Sequence, residues 1–300
     1  SWLQDSRLGG GGVLCRLRRC QFFSQLLIPK MTWWEALLLG LVQGLTEFIP
    51  VSSSGHLVLG QYLLGLDKET ADVTFEVFVH FGTVLSILTV YWDEVAELLG
   101  EAWAGLRAPA KVPARYAEND TFRLGVFILI TLVPTGVAYV LFRDALEQAF
   151  SSPQLTSAML LVTGLLLLLT MIRPQPGGEL NGIKAVVVGV AQSFAMIPGI
   201  SRSGATICTA LYQNVKPERA ANFSFLMLLP VVIGATILKG LELAEQGLGT
   251  AGMPLLLGTV AAYGSGIVAI YVVLDVVRRG NLQYFAYYCF LIGGLGLWLL

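Results

Sequence analysis

Charged side chains are scarce in this sequence, and neither sign of charge dominates. Asp, Glu, Lys and Arg make up 13% of its 300 residues, whereas soluble domains carry about 25%, so the composition excludes an ordinary soluble protein. The net charge of −1 supplies no basic field, and we predict no nucleic-acid partner. The four cysteines form neither a disulfide framework nor a metal-binding pattern.

Apolar side chains are abundant instead. They account for 55% of the residues, and the mean hydropathy is +0.70. Six segments approach the roughly 20 apolar residues that a membrane-spanning helix needs. We predict spans at 75–92, 120–142, 154–173, 220–241, 252–275 and 282–300. The sequence therefore predicts an all-α polytopic membrane protein.

Residues 1–30 differ from the rest of the chain. They contain the glycine run 9–12 and several arginines, but no apolar stretch long enough to cross a membrane. Met31 then opens a periodic apolar segment, so we interpret 1–30 as an extension outside the fold. An N-terminal signal is the alternative interpretation, which the short apolar core and the missing small-residue cleavage site disfavour.

Polar residues interrupt two further segments. The first, 33–66, breaks at 50–55 (Pro-Val-Ser-Ser-Ser-Gly), and the second, 183–214, breaks at 198–204 (Pro-Gly-Ile-Ser-Arg-Ser-Gly). About ten residues follow each break, which is roughly 15 Å of helix, or half a bilayer. Irregular backbone at that depth is tolerated only inside protein or beside water, so we predict two re-entrant helical hairpins.

The two interrupted segments resemble each other. Gln43 lies twelve residues before Gly55, and Gln192 lies twelve residues before Gly204. Paired interrupted segments indicate an internal inverted repeat, and chance similarity is the alternative. We predict one membrane-embedded domain over 31–300, with repeat halves at about 31–142 and 154–275 and a last helix at 282–300.

Positive charge is distributed unequally between the two predicted sides of the membrane. Ten lysines and arginines between positions 107 and 279 fall on one side, together with the connector loop 93–119. Four fall on the other side: Lys30, Lys68, Arg143 and Lys239. The positive-inside rule places the first side in the cytoplasm. The first hairpin then enters from outside and the second from the cytoplasm.

Glu47 is a carboxylate within an apolar run. Such a group at bilayer depth costs about 2.5–3.5 kcal/mol or more, which favours a functional role. Gln43 lies four residues earlier, on the same helix face. The alternative is that Glu47 lies at the membrane surface and is simply hydrated.

His56 is one of two histidines, and it follows Ser52, Ser53 and Ser54. An imidazole beside a hydroxyl can activate it or protonate a leaving group. We therefore interpret His56 as a candidate acid/base group. His80 has no such neighbours, and we interpret it as structural.

Arg202 lies in the second break, between two serines. Its guanidinium presents a rigid fork of donors that suits phosphate oxygens. The helix that starts beside it favours an anion as well. Further donors in the same motif are Ser201, Ser203, Gly204 and Thr206. The alternative is that Arg202 pairs with Glu47 and binds no ligand.

These groups together suit phosphoryl chemistry on a lipid. An acid, an imidazole, hydroxyls and a cation clamp would meet at the tips of two opposed hairpins. Gln43, Gln192 and Glu76 are supporting candidates, and a surface position is the alternative for Glu76. Composition and spacing alone do not name the lipid.

Four stretches resemble the bacterial undecaprenyl-diphosphatase family of the bacitracin-resistance type. They lie at 43–56, 75–83, 198–206 and 223–230, and the resemblance covers 31–300. It implies hydrolysis of undecaprenyl diphosphate to undecaprenyl phosphate and inorganic phosphate. This recycles the lipid carrier for peptidoglycan and other cell-wall polymers and confers bacitracin resistance, because bacitracin sequesters the same substrate.

The resemblance also implies a location and a cofactor. The location is the bacterial inner membrane, with an active cavity open to the outer face, and the cofactor is a divalent cation, Mg or Ca. Glu47 is the tentative metal ligand. The family motif Glu/Gln-x-x-x-Glu has Gln43 at its first position here, which weakens a scheme with two metal-binding carboxylates. The oligomeric state stays open, with a homodimer as one expectation.

We assign roles on this basis. Ser53 is the expected nucleophile, with Ser52, Ser54 or a directly attacking water as alternatives. Arg202 clamps the diphosphate and His56 is the acid/base. Glu47 positions His56 or a water, or binds the metal. The residues expected to hold phosphate oxygens are Ser52, Ser54, Ser201, Ser203, Gly204 and Thr206. A polyprenyl-phosphate transporter or flippase with the same anion site is the alternative function, and a phosphatase for another lipid is a weaker one.

Overall fold

The computed structural model describes residues 31–64, 73–173, 177–246 and 252–300, and these ranges are helical without an extended strand. The extension predicted at 1–30 lies outside them. The described helices are α1 (Trp33–Phe48), α2 (Ser53–Leu63), α3 (Val73–Val90), α4 (Trp92–Arg107), α5 (Val112–Glu118), α6 (Asp120–Ala149), α7 (Pro153–Leu169), α8 (Gly182–Phe194), α9 (Arg202–Tyr212), α10 (Pro217–Leu226), α11 (Leu228–Gln246), α12 (Gly252–Arg279) and α13 (Gln283–Leu299). The all-helical prediction is confirmed.

The two interrupted segments each form a helix, a tight turn and a shorter helix. The first comprises α1 and α2, and the second comprises α8 and α9. The shorter helices, α2 and α9, have eleven residues each. Their length is about 16 Å, close to the half-bilayer length expected from the sequence.

A serine caps each short helix and decides where it begins. Ser52 Oγ accepts a hydrogen bond from the backbone N–H of Gly55, and Ser201 Oγ accepts one from Gly204. These bonds satisfy backbone donors that have no partner within the helix. As a result Ser53 and Arg202 are the first residues of α2 and α9, a few residues earlier than predicted.

Two other boundaries differ from the prediction. The single span predicted at 220–241 is divided at Met227 into α10 and α11. Pro230 explains the break, because it has no N–H to donate to the carbonyl of Leu226. The connector predicted as a loop at 93–119 is mostly helical, since α4 and α5 occupy it.

Three of the described helices are long and apolar enough to cross a membrane: Asp120–Ala149, Pro153–Ile172 and Gly252–Arg279. The pair Thr74–Val90 and Trp92–Arg107 adds a fourth candidate, although it bends by 91°. Large apolar side chains on α6 remain exposed, among them Val133, Val140 and Leu141. An apolar outer surface of this kind suits contact with lipid tails.

Small residues allow α12 to pack closely against α1 and α3. A methyl group on Gly44 of α1 would lie 2.3 Å from the carbonyl oxygen of Ala262. One on Gly82 of α3 would lie 2.4 Å from that of Thr259. Such close approach of backbones is the usual way in which helices associate in membranes. This packing fixes α1 and α3, which both contribute to the candidate site.

Candidate active site

The two hairpin turns meet at one cavity of about 440 Å³. α1, α2, α3, α6, α9 and α11 contribute to its wall. Its polar residues include Glu47, Ser53, His80 and Arg202. Its apolar residues include Val77, Met196, Ile200, Leu228, Val231 and Val232. A few polar groups in an apolar pocket are typical of a ligand site.

The first turn contains a strained residue, Ser52, directly before Ser53. Ser52 has φ 70° and ψ 96°, a conformation that residues other than glycine rarely adopt. Its side-chain cap on Gly55 holds the turn in place. Ser53 follows Ser52 directly and lines the cavity. Strain of this kind is often found at functional sites.

The second turn is fastened to α7. Thr163 Oγ1 donates to the carbonyl of Gly199 at 2.8 Å and accepts from the N–H of Ser201 at 3.0 Å. The two turns also touch, because a methyl group on Gly55 would lie 3.2 Å from Cα of Gly199. Motifs separated by about 150 residues in the sequence therefore pack against each other.

Glu47 is the centre of the polar network. It is 5% exposed, and its Oε2 accepts from Ser53 Oγ at 2.6 Å and from Gln43 Nε2 at 2.9 Å. Its Oε1 accepts from Arg202 Nη2 at 3.1 Å. His80 Nε2 lies 3.5 Å from Oε2. A buried carboxylate surrounded by donors is stable in its charged form and can accept a proton from Ser53.

Arg202 connects the two halves of the site. Its Nη2 contacts Glu47, and its Nη1 donates to the carbonyl of Ser224 at 2.9 Å. The side chain is 17% exposed and lines the cavity. Burying a cation costs free energy unless an anion is paired with it, and the Glu47 carboxylate is that anion for Arg202.

The other donors predicted in the second motif lie behind Arg202. Ser201, Ser203 and Thr206 are at most 1% exposed and do not line the cavity. Thr206 Oγ1 donates to the carbonyl of Arg202 at 2.8 Å, and the N–H of Gly204 is taken by the Ser201 cap. These groups shape the turn that carries Arg202, and their contact with phosphate stays a prediction.

The structure does not bring His56 to the cavity wall. Its Nδ1 lies 2.8 Å from the carbonyl of Ser52, and its Nε2 lies 2.9 Å from Tyr288 Oη. The imidazole also stacks on the ring of Tyr288. Both ring nitrogens thus already have hydrogen-bond partners, the Ser52 carbonyl and the Tyr288 hydroxyl, and the acid/base role of His56 stays a prediction.

The sequence favours a structural role for His80, and the structure places His80 at the site. His80 lines the cavity and contacts Glu47, although the sequence shows no hydroxyl beside it. The signal that could have found it is its spacing from Glu76, four residues earlier on the same face of α3.

Of the supporting candidates, Glu76 lines the cavity too and accepts from Gln61 at 3.4 Å. Gln192 lies outside the cavity wall and donates to Thr135.

Comparisons with known proteins identify the family. The model of the bacitracin resistance protein BacA family matches residues 36–295. The chain belongs to this family. A protein from Salinibacter ruber named undecaprenyl-diphosphatase is 85% identical over 270 residues, which are 90% of this chain and 100% of the relative. Proteins of the same name from Halothermothrix orenii and Bacteroides fragilis are 39% and 38% identical, each over 88% of this chain and 96% of the relative.

The side chains at this site are not arranged to bind a metal ion. Among the described residues, no group of three or more His, Cys, Asp or Glu side chains is placed to hold a metal ion. Both oxygens of Glu47 already accept hydrogen bonds, from Gln43, Ser53 and Arg202. The residues present therefore do not fit a resident divalent cation on Glu47, and no step below depends on one.

Proposed function

We propose that this chain hydrolyses undecaprenyl diphosphate to undecaprenyl phosphate and inorganic phosphate. The observation that carries the proposal is the contact of Ser53 with Glu47 beside Arg202, at the wall of one cavity. Family membership and the names of its relatives agree with it. The reaction recycles the lipid carrier for cell-wall synthesis and confers bacitracin resistance, because it removes the diphosphate that bacitracin sequesters.

In the first step Ser53 attacks the terminal phosphorus. The proton of Ser53 Oγ passes to Glu47 Oε2, which lies 2.6 Å away. A bond forms between Oγ and phosphorus, and the bond from phosphorus to the bridging oxygen breaks. The electron pair leaves with undecaprenyl phosphate, and the enzyme holds a phosphoserine.

In the second step water attacks the phosphoserine. Its oxygen bonds to phosphorus, the Oγ–phosphorus bond breaks, and Glu47 returns its proton to Ser53. One proton goes to solvent, and inorganic phosphate leaves. Arg202 stabilises the charge on the phosphoryl oxygens in both steps, which is the main contribution that a preorganised site makes to such a reaction.

The cavity accounts for both ends of the substrate. Glu47, Ser53 and Arg202 meet the diphosphate, and the side chains of α11 and of the second turn provide an apolar wall for the prenyl tail. Such a wall is about as apolar as the lipid tails it would replace, so the prenyl tail can leave the bilayer for it at little cost.

For the topology we propose six spans and two inverted re-entrant hairpins in the bacterial inner membrane. α6 has 30 residues and is about 45 Å long, so it extends beyond a 30 Å hydrocarbon core. Residues of its C-terminal part line the cavity, namely Tyr139, Arg143, Leu146 and Glu147. This end lies opposite the lysine- and arginine-rich side, which supports a cavity open to the outer face.

A divalent cation, Mg or Ca, remains a proposal from the family resemblance. Because Glu47 is already engaged, we propose that a cation enters with the substrate and is bound mainly by diphosphate oxygens. This assignment requires no additional ligand on Glu47.

The test is phosphate release from undecaprenyl diphosphate by the purified protein in detergent. We expect release by the wild type and a loss of about 10²–10³-fold in Arg202→Ala. Arg202→Lys keeps the charge but lacks the fork, and we expect only partial recovery. Arg279→Ala, an exposed arginine paired with Asp275, is the matched control. Binding of the lipid without release by folded wild type, with Mg and with Ca, would favour the transporter.

A further inference from the structure

Two imidazoles lie near the site, but only one of them faces Glu47. His80 Nε2 is 3.5 Å from Glu47 Oε2, and its side chain is 27% exposed in the cavity. The nitrogens of His56 are engaged by Ser52 and Tyr288 instead. His80 is therefore the imidazole that can act on the Glu47 carboxylate.

The second nitrogen of His80 fixes the ring. Its Nδ1 lies 2.7 Å from the backbone carbonyl of Glu76, which can only accept a hydrogen bond. The ring is thus held by its own helix, with Nε2 directed at Glu47. Because Nδ1 donates to the carbonyl, Nε2 can donate to Glu47 only when the ring is an imidazolium with a proton on both nitrogens. A ring held in this way loses little freedom when it contacts the carboxylate.

The other partners of Glu47 have different tasks. Gln43 is fully buried and lies behind the carboxylate, away from the cavity wall. Arg202 contacts Oε1 and also faces the cavity, so phosphate oxygens will compete with Glu47 for its guanidinium. When substrate binds, Glu47 needs another donor on the cavity side to keep it against Ser53.

We propose that His80, as an imidazolium, is a positioning residue that holds Glu47 Oε2 toward Ser53 while Arg202 binds the phosphate. This inference rests on the proposed function, because it assigns Glu47 as the base for Ser53. It adds a residue from α3, outside both hairpin motifs. His80 acts through Glu47 and takes no proton from the substrate.

Two substitutions separate this role from a purely structural one. His80→Gln places an amide N–H near the position of Nε2, where it can still reach Glu47. His80→Asn places it near Nδ1, where it can satisfy the Glu76 carbonyl but cannot reach Glu47. A structural role on α3 would favour the Asn variant, whereas the positioning role favours the Gln variant.

The experiment measures kcat and KM for phosphate release by the wild type and both variants, after thermal unfolding shows that each is folded. We expect His80→Asn to lose about 10- to 100-fold in kcat with little change in KM, since small misplacement of a catalytic group has effects of this size. We expect His80→Gln to stay within about 3-fold of the wild type. Wild-type kcat in His80→Asn, or equal losses in both variants, would overturn the inference.

A second readout does not depend on turnover of the diphosphate. Covalent labelling of Ser53 by a fluorophosphonate reports how well Glu47 activates the hydroxyl, and Ser53→Ala gives the background. We expect slow labelling in His80→Asn and near wild-type labelling in His80→Gln. Equal labelling rates in both would overturn the positioning role. A wild type that labels but releases no phosphate would instead contradict the proposed function.

Discussion

Ser53 differs from its two neighbouring serines in what its hydroxyl contacts. Ser52 Oγ caps the helix and lies 3.3 Å from Ser54 Oγ, so these two hydroxyls face each other. Ser53 Oγ alone of the three donates to Glu47. All three line the cavity, but Ser52 is only 2% exposed, whereas Ser53 and Ser54 are partly exposed, and of these two only Ser53 contacts Glu47. This contact is why we prefer Ser53 over Ser52, Ser54 or a water as nucleophile.

Replacing Ser53 tests that preference. We expect Ser53→Ala to lower phosphate release by about 10³-fold or more, because the nucleophile and its proton are both removed. Ser54→Ala is the matched control and should retain activity within about 10-fold. Acid quenching of the wild type with substrate labelled in the terminal phosphate should trap label on the protein. Substantial activity in Ser53→Ala without trapped label would show that water attacks directly.

The turn between α8 and α9 depends on a glycine. Gly199 has φ +94°, in the region that favours glycine, and a methyl group there would lie 2.2 Å from the carbonyl oxygen of Thr156. Its own carbonyl accepts from Thr163. The backbone at this position therefore approaches α7 closely, and this approach sets the position of Arg202.

We expect Gly199→Ala to destabilise the protein by about 2 kcal/mol or more, through both backbone strain and the contact with α7. Activity should fall as well, since Arg202 lies three residues further on. Gly100→Ala on α4 is the control, because no atom lies within 4 Å of the added methyl group. Thermal unfolding in detergent measures the stability of both variants. Equal stability of the two variants would show that the turn adapts.

The sequence was informative about helices and less so about where they break. Hydropathy and the paired Ser/Gly motifs predicted the helical class and both interrupted segments. The start of α2 at Ser53 depends on a local hydrogen bond, which a Ser-x-x-Gly pattern suggests but does not require. The break at Met227 follows from Pro230, but a proline does not always break a helix. Pro134, for example, lies inside α6, which continues through it, so the sequence alone does not predict which proline ends a helix.

At the scale of the whole molecule, the site joins residues that are far apart in the sequence. Glu47 and Arg202 were predictable singly, because each is a charge in an apolar segment. Their contact at 3.1 Å depends on the packing of two hairpins. Proximity in the sequence favoured His56 over His80, whereas the fold turns His56 toward Tyr288 and brings His80 to Glu47. Such choices are decided by tertiary packing, which single-residue patterns do not contain.

The orientation in the membrane is the remaining prediction at this scale. Between Ala110 and Ser151, both of which are exposed, α6 is the one described helix long and apolar enough to span, so cysteines introduced at these positions should face opposite sides. Cys208 and Cys289 are buried and should not react with the reagent. The experiment therefore uses a background protein in which Cys15→Ser and Cys20→Ser remove the other two cysteines. In intact cells a membrane-impermeant maleimide should label Ser151→Cys, whereas Ala110→Cys should require permeabilised cells. The control is the same background protein without a cysteine introduced at position 110 or 151. The reverse pattern would place the cavity on the cytoplasmic side, and labelling of both in intact cells would contradict α6 as a span.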